Sequence, residues 1–264
     1  MNAPDYACRA CGAQGRNLWQ GQLLDITVQY YECDACGYVQ TEQPFWLERA
    51  YSRAINASDT GIMARNLANA RIVLATLLAI GKLNGRVVDC AGGYGILVRL
   101  LRDYGVEALW SDRHCENLLA KGFEHNGESA ELVTAFEAFE HFVDPSEELD
   151  RMLSISNNVL LSTNIISDPT PLPDQWWYYG RDHGQHIGFF RIRTLKTLAE
   201  RRGKYLISDG HSYHLITDAH TFSFVWRASI TANKVIPLLV RPVIRSKTWE
   251  DHTKLSKNNS CAIQ

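Results

Sequence analysis

From residue 86 the hydrophobic pattern switches between two periods. VVDC at 87–90, EALWSD at 107–112, ELVTAF at 131–136 and NNVLLSTNI at 157–165 are short apolar runs of strand length. ILVRLLRDY at 96–104 and PSEELDRML at 145–153 instead space their apolar residues three and four apart, as one face of a helix does. This alternation predicts an α/β fold, a largely parallel sheet with crossover helices on both faces. Upstream, Ile62, Met63, Leu67, Ile72, Val73, Leu74, Leu77 and Leu78 repeat at helical spacing behind Asp59-Thr60, a plausible cap. Downstream, an aromatic and proline-rich stretch interrupts the alternation before RTLKTLAERRG at 193–203, a helix closing on Gly203. KYLISDGHSYHLIT at 204–217 and TFSFVWRA at 221–228 look like late strands completing the sheet, and the tail beyond Asn233 shows no readable period.

Residues 1–45 show a different organisation, two tight knuckles around a hairpin. The expected division is therefore a small module at 1–45, a helical linker at 46–84, a core domain at 85–230 with an insertion at 167–190, and an extension at 231–264. With 264 residues, 45% of them hydrophobic, the chain can bury one full core and a satellite. Its net charge of −2 offers no broad attraction to nucleic acid or anionic lipid. The first fifty residues are themselves acidic, with Arg9, Arg16 and Arg49 against Asp5, Asp25, Glu32, Asp34, Glu42 and Glu48. The N-terminus lacks a signal-peptide layout and the apolar stretches fall short of a membrane span, so a cytoplasmic protein is expected.

Cys8, Cys11, Cys33 and Cys36 form two C-x2-C pairs, each followed directly by a glycine, Gly12 or Gly37. Two such turns aim four thiolates at one ion, which predicts a zinc ribbon with a closed, structural metal shell and backbone amides turned toward sulfur. An odd total of seven cysteines fits reduced thiols better than disulfides. Cys90, Cys115 and Cys261 have no such partners and read as packing residues.

In VVDCAGGYG an apolar strand ends on Asp89 and enters a turn of Ala91, Gly92, Gly93 and Gly95 before a helix. Such a turn lets backbone amides approach a ligand. The spacing is not that of the dinucleotide fingerprint, because Val98 stands three residues after Gly95. Asp112 closes the next strand, where a carboxylate can take both hydroxyls of a ribose. Over residues 86–228 this arrangement resembles the Rossmann-like class I methyltransferases. The run D-C-A-G-G-Y-G resembles their first motif, with Ala91 in place of its first glycine, a replacement that fits if Ala91 keeps a negative φ. The resemblance implies S-adenosylmethionine as cofactor, held by Asp89, Ala91, Gly92, Gly93, Gly95 and Asp112. It also places Phe136, Glu137 and the Glu140-His141 pair beside the transferred methyl group; read from the residues alone, Glu140 is an acid holding a helix terminus.

A cysteine ribbon ahead of this core, with HGQHIGFFRIRTLKTLA behind it, is similar to zinc-ribbon methyltransferases of bacterial sugar and polysaccharide pathways, nucleotide-sugar C-methyltransferases among them. The resemblance implies that His186 removes a proton from the acceptor. A glutamate commonly precedes that histidine, and Gln185 stands here. Read from the residues alone, His183, His141 and Glu137 compete for the catalytic role, while His211, His214 and His220 read as structural. Trp176, Trp177, Tyr178 and Tyr179 offer flat faces suited to a sugar ring, and Gly180, Gly184 and Gly188 suggest a closing loop. The expected function is base-assisted, in-line methyl transfer to a small or saccharide acceptor, on oxygen or carbon. The alternative is an interaction or RNA-binding module on a silent or RNA-modifying fold, which the acidic ribbon disfavours.

Overall fold

A computed structural model describes residues 6–51, 59–219 and 223–261, with side chains as far as 257. In chain order the first elements are β1 (Tyr6–Ala7), β2 (Gln14–Leu23), β3 (Ile26–Cys33), β4 (Val39–Thr41), α1 (Leu47–Ala50) and α2 (Ile62–Ala79). Next come β5 (Arg86–Cys90), α3 (Ile96–Tyr104), β6 (Glu107–Ser111), β7 (Leu132–Phe136), α4 (Pro145–Ile155) and β8 (Val159–Ser162). The last are β9 (Gly188–Phe189), α5 (Ile192–Glu200), β10 (Tyr205–Ser208), β11 (Tyr213–Thr217), α6 (Ser223–Thr231), α7 (Ile236–Val240) and α8 (Thr248–Cys261). The fold is α/β with a mixed sheet. Two compact units interleave along the chain, one of residues 1–58, 136–153 and 159–220, the other of 59–135, 154–158 and 221–264.

In the first unit a five-stranded antiparallel sheet runs in the order β1-β2-β3-β4-β9. The cysteine hairpin is not a satellite here. Its inward residues Leu23, Val28, Tyr30 and Val39 share one apolar cluster with Trp46, Ile166, Tyr178, Tyr179, Ile187 and Phe189. Burying aromatic rings of this size removes much of the hairpin's apolar area from water, so the two segments stabilise each other. A buried ion pair joins Arg191 to Glu32, and the same guanidinium donates to the Gly37 carbonyl at 2.7 Å and to Thr170 Oγ1 at 2.6 Å. β10, β11 and β8 are antiparallel, in register through Leu206↔Ile216 and Leu215↔Leu160.

The second unit carries the parallel strands. β5 lies between β7 and β6, with Val87 opposite Leu132 and Val88 opposite Leu109. Helix α2 packs against α3, α6 and α7. At 18 residues with a mean hydropathy of 1.3 it has the length and composition to cross a membrane, although the expectation from the apolar stretches is that none is long enough. Its Asn69-to-Leu77 stretch is instead mostly buried within the unit, the ordinary state of a core helix. The expected Asp59-Thr60 cap does not form: Gly61 is the N-cap, and Asp59 pairs with Arg65 at 2.6 Å. TFSFVWRA, expected as a strand, contributes to helix α6. Trp226 and Ile230, four residues apart, are buried, and the Trp226 indole donates to Thr76 Oγ1 at 3.0 Å; this packing on α2 overrides the β preference of its aromatic and branched residues. The unreadable tail supplies α8, where Asp251 takes both Arg102 Nε at 2.8 Å and Nη2 at 2.7 Å. His220 lies outside the described residues, and the Cys261 side chain outside the described side chains.

Candidate active site

The first group of functional residues surrounds the turn from β5 to α3. Asp89 is 3% exposed and accepts a hydrogen bond from Thr134 Oγ1 at 2.6 Å. Burial first, and then the nearby Asp112 charge, push its carboxyl up to about 7 against the opposing bond from Thr134. The amides of Ala91 and Gly92 both donate to the Ser111 carbonyl, at 2.9 and 3.2 Å, which clamps the start of the turn to the end of β6. That clamp holds Ala91 at φ +70°, in the left-handed region and not at the negative φ expected. The position keeps a glycine's conformation without a glycine.

The glycines divide their work unevenly. A Cβ on Gly92 would stand 2.7 Å from Trp110 Cδ1, so this residue is small to seat an indole, whose Nε1 donates to the Gly93 carbonyl at 2.8 Å. A Cβ on Gly95, which takes φ +85°, would stand 2.9 Å from both Asn117 Oδ1 and Ala120 Cβ. Only Gly93, at φ +52°, would project a Cβ into open space. Its amide donates to Asp112 Oδ2 at 2.9 Å, while Asp112 Oδ1 accepts from the amides of His114 at 2.7 Å and Cys115 at 2.9 Å. Asp112 thus ties two turns together. To take both hydroxyls of a ribose it must release the Gly93 amide, since a carboxylate offers about four acceptor positions and three are in use. Trp110 as the buttress of this turn was not foreseen; a tryptophan two residues before the acid was its only signal.

The second group lies wholly in the first unit. Phe136 ends β7 and meets Tyr213 edge-on, with ring centroids 6.2 Å apart. Glu137 follows at φ +48°, its Oε1 accepting from Ser162 Oγ at 2.6 Å and its amide bonded to the same hydroxyl at 2.8 Å. Glu140 does more than hold a helix terminus. It is fully buried, its Oε1 accepts from Tyr178 OH at 2.6 Å, and its Oε2 has no hydrogen-bond partner among the described residues. Burial, reinforced by Glu137, pushes its carboxyl up to about 8.

Three imidazoles gather beside it, and their partners fix their tautomers. His186 Nδ1 lies 2.6 Å from the Tyr178 carbonyl and His141 Nδ1 3.0 Å from the Gln185 carbonyl. A carbonyl only accepts, so both Nδ1 atoms carry the proton and both Nε2 atoms keep a lone pair. His183 is the reverse: its Nδ1 accepts from the Gln185 amide at 3.1 Å, so its own lone pair is spent. Burial holds all three neutral, His141 down to about 4 and His186 well below its ordinary range. The rings of His141 and His183 each stand 4.8 Å from that of His186.

The aromatic run does not form one wall. Tyr178 and Tyr179 are core residues, Tyr179 donating to the Pro171 carbonyl at 2.7 Å, whereas Trp177 is 79% exposed. Successive side chains of a three-residue turn point about 120° apart, so the run divides between core and solvent. Nor do the glycines read as hinges. A Cβ on Gly180 would collide with the His183 ring, and one on Gly188 with the Tyr38 hydroxyl. His214 is structural, its Nδ1 meeting Ser208 Oγ at 2.8 Å and its Nε2 the Thr163 carbonyl at 3.1 Å. Cys90 is buried and Cys115 half-buried.

The four knuckle cysteines come together, buried, with all Sγ atoms within 4.8 Å of one another. Cys8 and Cys36 are 3.7 Å apart and Cys11 and Cys33 3.5 Å. These separations are far beyond a disulfide bond and close to the roughly 3.8 Å between sulfurs of a tetrahedral shell with metal–sulfur bonds of about 2.3 Å. Burial raises the Cys11 thiol to about 11, and the neighbouring Cys8 raises that of Cys36, so four adjacent thiolates need a cation among them. The donor set is a possible metal site. Gly12 and Gly37 take φ +74° and +72°, but their amides donate to the carbonyls of Cys8 and Cys33 and not to sulfur.

The sequence matches a family described as a methyltransferase domain over residues 63–208. No curated protein matches. Among solved structures the chain is similar to TnmH, at 16% identity and a TM-score of 0.43, covering 67% of this chain and 62% of that one. It is also similar to the magnesium protoporphyrin IX methyltransferase of Synechocystis PCC 6803, solved with SAH (14% identity, TM-score 0.42, 64% and 90% covered). A third is the 1,6-didemethyltoxoflavin-N1-methyltransferase of Burkholderia thailandensis (14% identity, TM-score 0.46, 72% and 93% covered). The chain thus spans less than two thirds of TnmH and nine tenths of the other two.

Proposed function

The chain belongs to the methyltransferase-domain family; from that premise we propose that it transfers the methyl group of S-adenosylmethionine to a saccharide or similarly polyhydroxylated small molecule, on a hydroxyl that loses its proton at the imidazole cluster around His186. The observation that carries this reading is the tautomer pattern, which leaves the Nε2 lone pairs of His141 and His186 open beside the buried Glu140. When bound, the cofactor supplies a methyl group already activated on a sulfonium. The chain's own residues do the rest. The open face at Gly93 and the carboxylate of Asp112 would hold the cofactor's ribose, and Asp89 would fix the turn. The imidazole cluster, uncharged and only partly exposed, would promote loss of the acceptor's proton and orient its oxygen.

In this reading the cysteine quartet holds one structural zinc ion and the enzyme works in the reducing cytoplasm, where such thiols persist. The ribbon's role would be to set His186. β4 pairs with β9 through Gln40↔Gly188, and Thr41 N and Arg9 Nη2 both donate to the Ile187 carbonyl, at 3.1 and 2.7 Å.

The test is a screen of nucleotide sugars and glycans with labelled cofactor, followed by His186→Asn. That change should cut turnover about 10²–10⁴-fold while cofactor affinity and melting temperature stay near wild type. Turnover surviving in His186→Asn, or labelling on a carbon of the acceptor, would defeat the reading.

A further inference from the structure

We propose that Glu140, His141 and His186 hold a divalent first-row metal ion, a second metal site chemically unlike the cysteine quartet. The proposal rests on reading this pocket as the acceptor's and specifies how His186 acts there, as a ligand. Three independent features point to it.

The donor atoms converge, with one oxygen of Glu140 and one ring nitrogen of each histidine all within 4.8 Å of one another. Small side-chain rotations bring such a set to the 2.0–2.2 Å bonds that nitrogen and oxygen ligands make. Both imidazoles are also already in the ligating state. Each gives its Nδ1 proton to a backbone carbonyl, Gln185 for His141 and Tyr178 for His186, which is the outer partner that orients nearly every metal-binding histidine. His183, whose lone pair is used by a backbone amide, stays outside the set. Finally, Glu140 is fully buried with Oε1 fixed by the Tyr178 hydroxyl, yet Oε2 finds no partner among the described residues. A carboxyl oxygen left so in a core is costly, and a cation shared with the two histidines would satisfy it.

Two imidazoles and one carboxylate suit manganese, iron, cobalt or zinc better than magnesium or calcium, and three protein ligands leave positions open. Two adjacent hydroxyls of a saccharide could fill them. The bound hydroxyl's O–H bond then breaks with its electron pair staying on oxygen, the proton leaves to water, and the metal keeps its oxidation state. The methyl group's bond to sulfur breaks as its bond to that oxygen forms, and the sulfur retains the pair.

The probe is Mn²⁺ alone, because manganese avoids thiolates and so reports this site without the cysteines. Titration of the zinc-loaded full chain, followed by electron paramagnetic resonance, should show one bound Mn²⁺ per chain. Affinity should fall at least tenfold in Glu140→Gln and in His186→Ala, with a wild-type near-ultraviolet circular dichroism spectrum and a retained cooperative melt as the check that both variants fold. His183→Ala, which alters a neighbour and not a ligand, should bind Mn²⁺ as wild type does. No Mn²⁺ binding, or equal binding in all variants, would overturn the site. Turnover on a saccharide that survives stripping of this metal would overturn it too while leaving the methyl-transfer reading intact. Metal bound by the three residues with no saccharide methylated would do the opposite.

Discussion

At Ala91 the backbone and the side chain disagree. The left-handed region costs an L-residue about 1 kcal/mol or more, and the clamp of two amides on the Ser111 carbonyl enforces it. Ala91→Gly removes that strain but adds roughly 0.4–1 kcal/mol of unfolded-chain freedom, so its stability should stay within about 1 kcal/mol of wild type. Ala91→Val adds a branch at φ +70° and should lower the melting temperature by several degrees and weaken cofactor binding. Thermal melts and calorimetry check both; a neutral Ala91→Val would mean the turn relaxes. His214 makes a separate case. Burial holds its imidazole down to about 4, against an ordinary value near 6.5. The neutral form is favoured in the fold, so stability is complete above about pH 6.5 and is lost as pH falls toward 4, on the order of 3 kcal/mol from this residue. His214→Gln should flatten that acid limb in denaturant titrations between pH 6.5 and 4, whatever it does to stability at pH 8.

Among the elements, the cysteine knuckles are tied both to strand β9, which carries Gly188, and to helix α5. Beyond the β4 to β9 pairing, Thr194 Oγ1 donates to the Cys36 carbonyl at 2.8 Å and Arg201 Nη1 to that of Cys11 at 2.5 Å. Cys33→Ser, or chelation of the quartet, should therefore lower the melting temperature and speed hydrogen exchange at residues 187–195 as well as in the knuckles. Exchange confined to the knuckles would show that the ribbon does not brace the pocket. Local signals made part of this legible. Gly95 and Gly105, both left-handed, bracket α3 at the bounds the sequence suggests, and the duplicated C-x2-C spacing brought four sulfurs together. Where tertiary packing decides, the sequence misled or was mute. Trp226 turns a strand-like run into a helix by finding Thr76, 150 residues away in sequence. Glu140 looks like a helix-end acid until Tyr178, 38 residues later, closes over it. The tyrosines of the aromatic run look like a sugar platform because no local pattern tells a ring in the core from one on the surface.

For the molecule as a whole, the two units divide the candidate cofactor contacts from the cysteine quartet and the imidazole pocket. Asp89, the turn from Ala91 to Gly95, and Asp112 belong to the unit of residues 59–135, 154–158 and 221–264, whereas the four cysteines, Glu140 and the three pocket histidines belong to the other. The first set also carries its own support, since Thr134, Ser111 and Trp110 fix the turn and α2 packs against α3, α6 and α7 of the same unit. Cofactor binding should then respond to changes in its own unit and little to metal loss in the other. Asp112→Ala should weaken S-adenosylmethionine by on the order of 2 kcal/mol, roughly thirtyfold in Kd, through lost charge-assisted bonds to the ribose and a loosened Gly93 amide. Chelation of the cysteine quartet at a temperature below the melting transition should change that Kd by less than about threefold, even where it abolishes turnover. Calorimetry on the same preparation with and without chelator checks this directly. If metal removal weakens the cofactor as much as Asp112→Ala does, the units are not energetically separate, and the ribbon must be counted as part of the cofactor site.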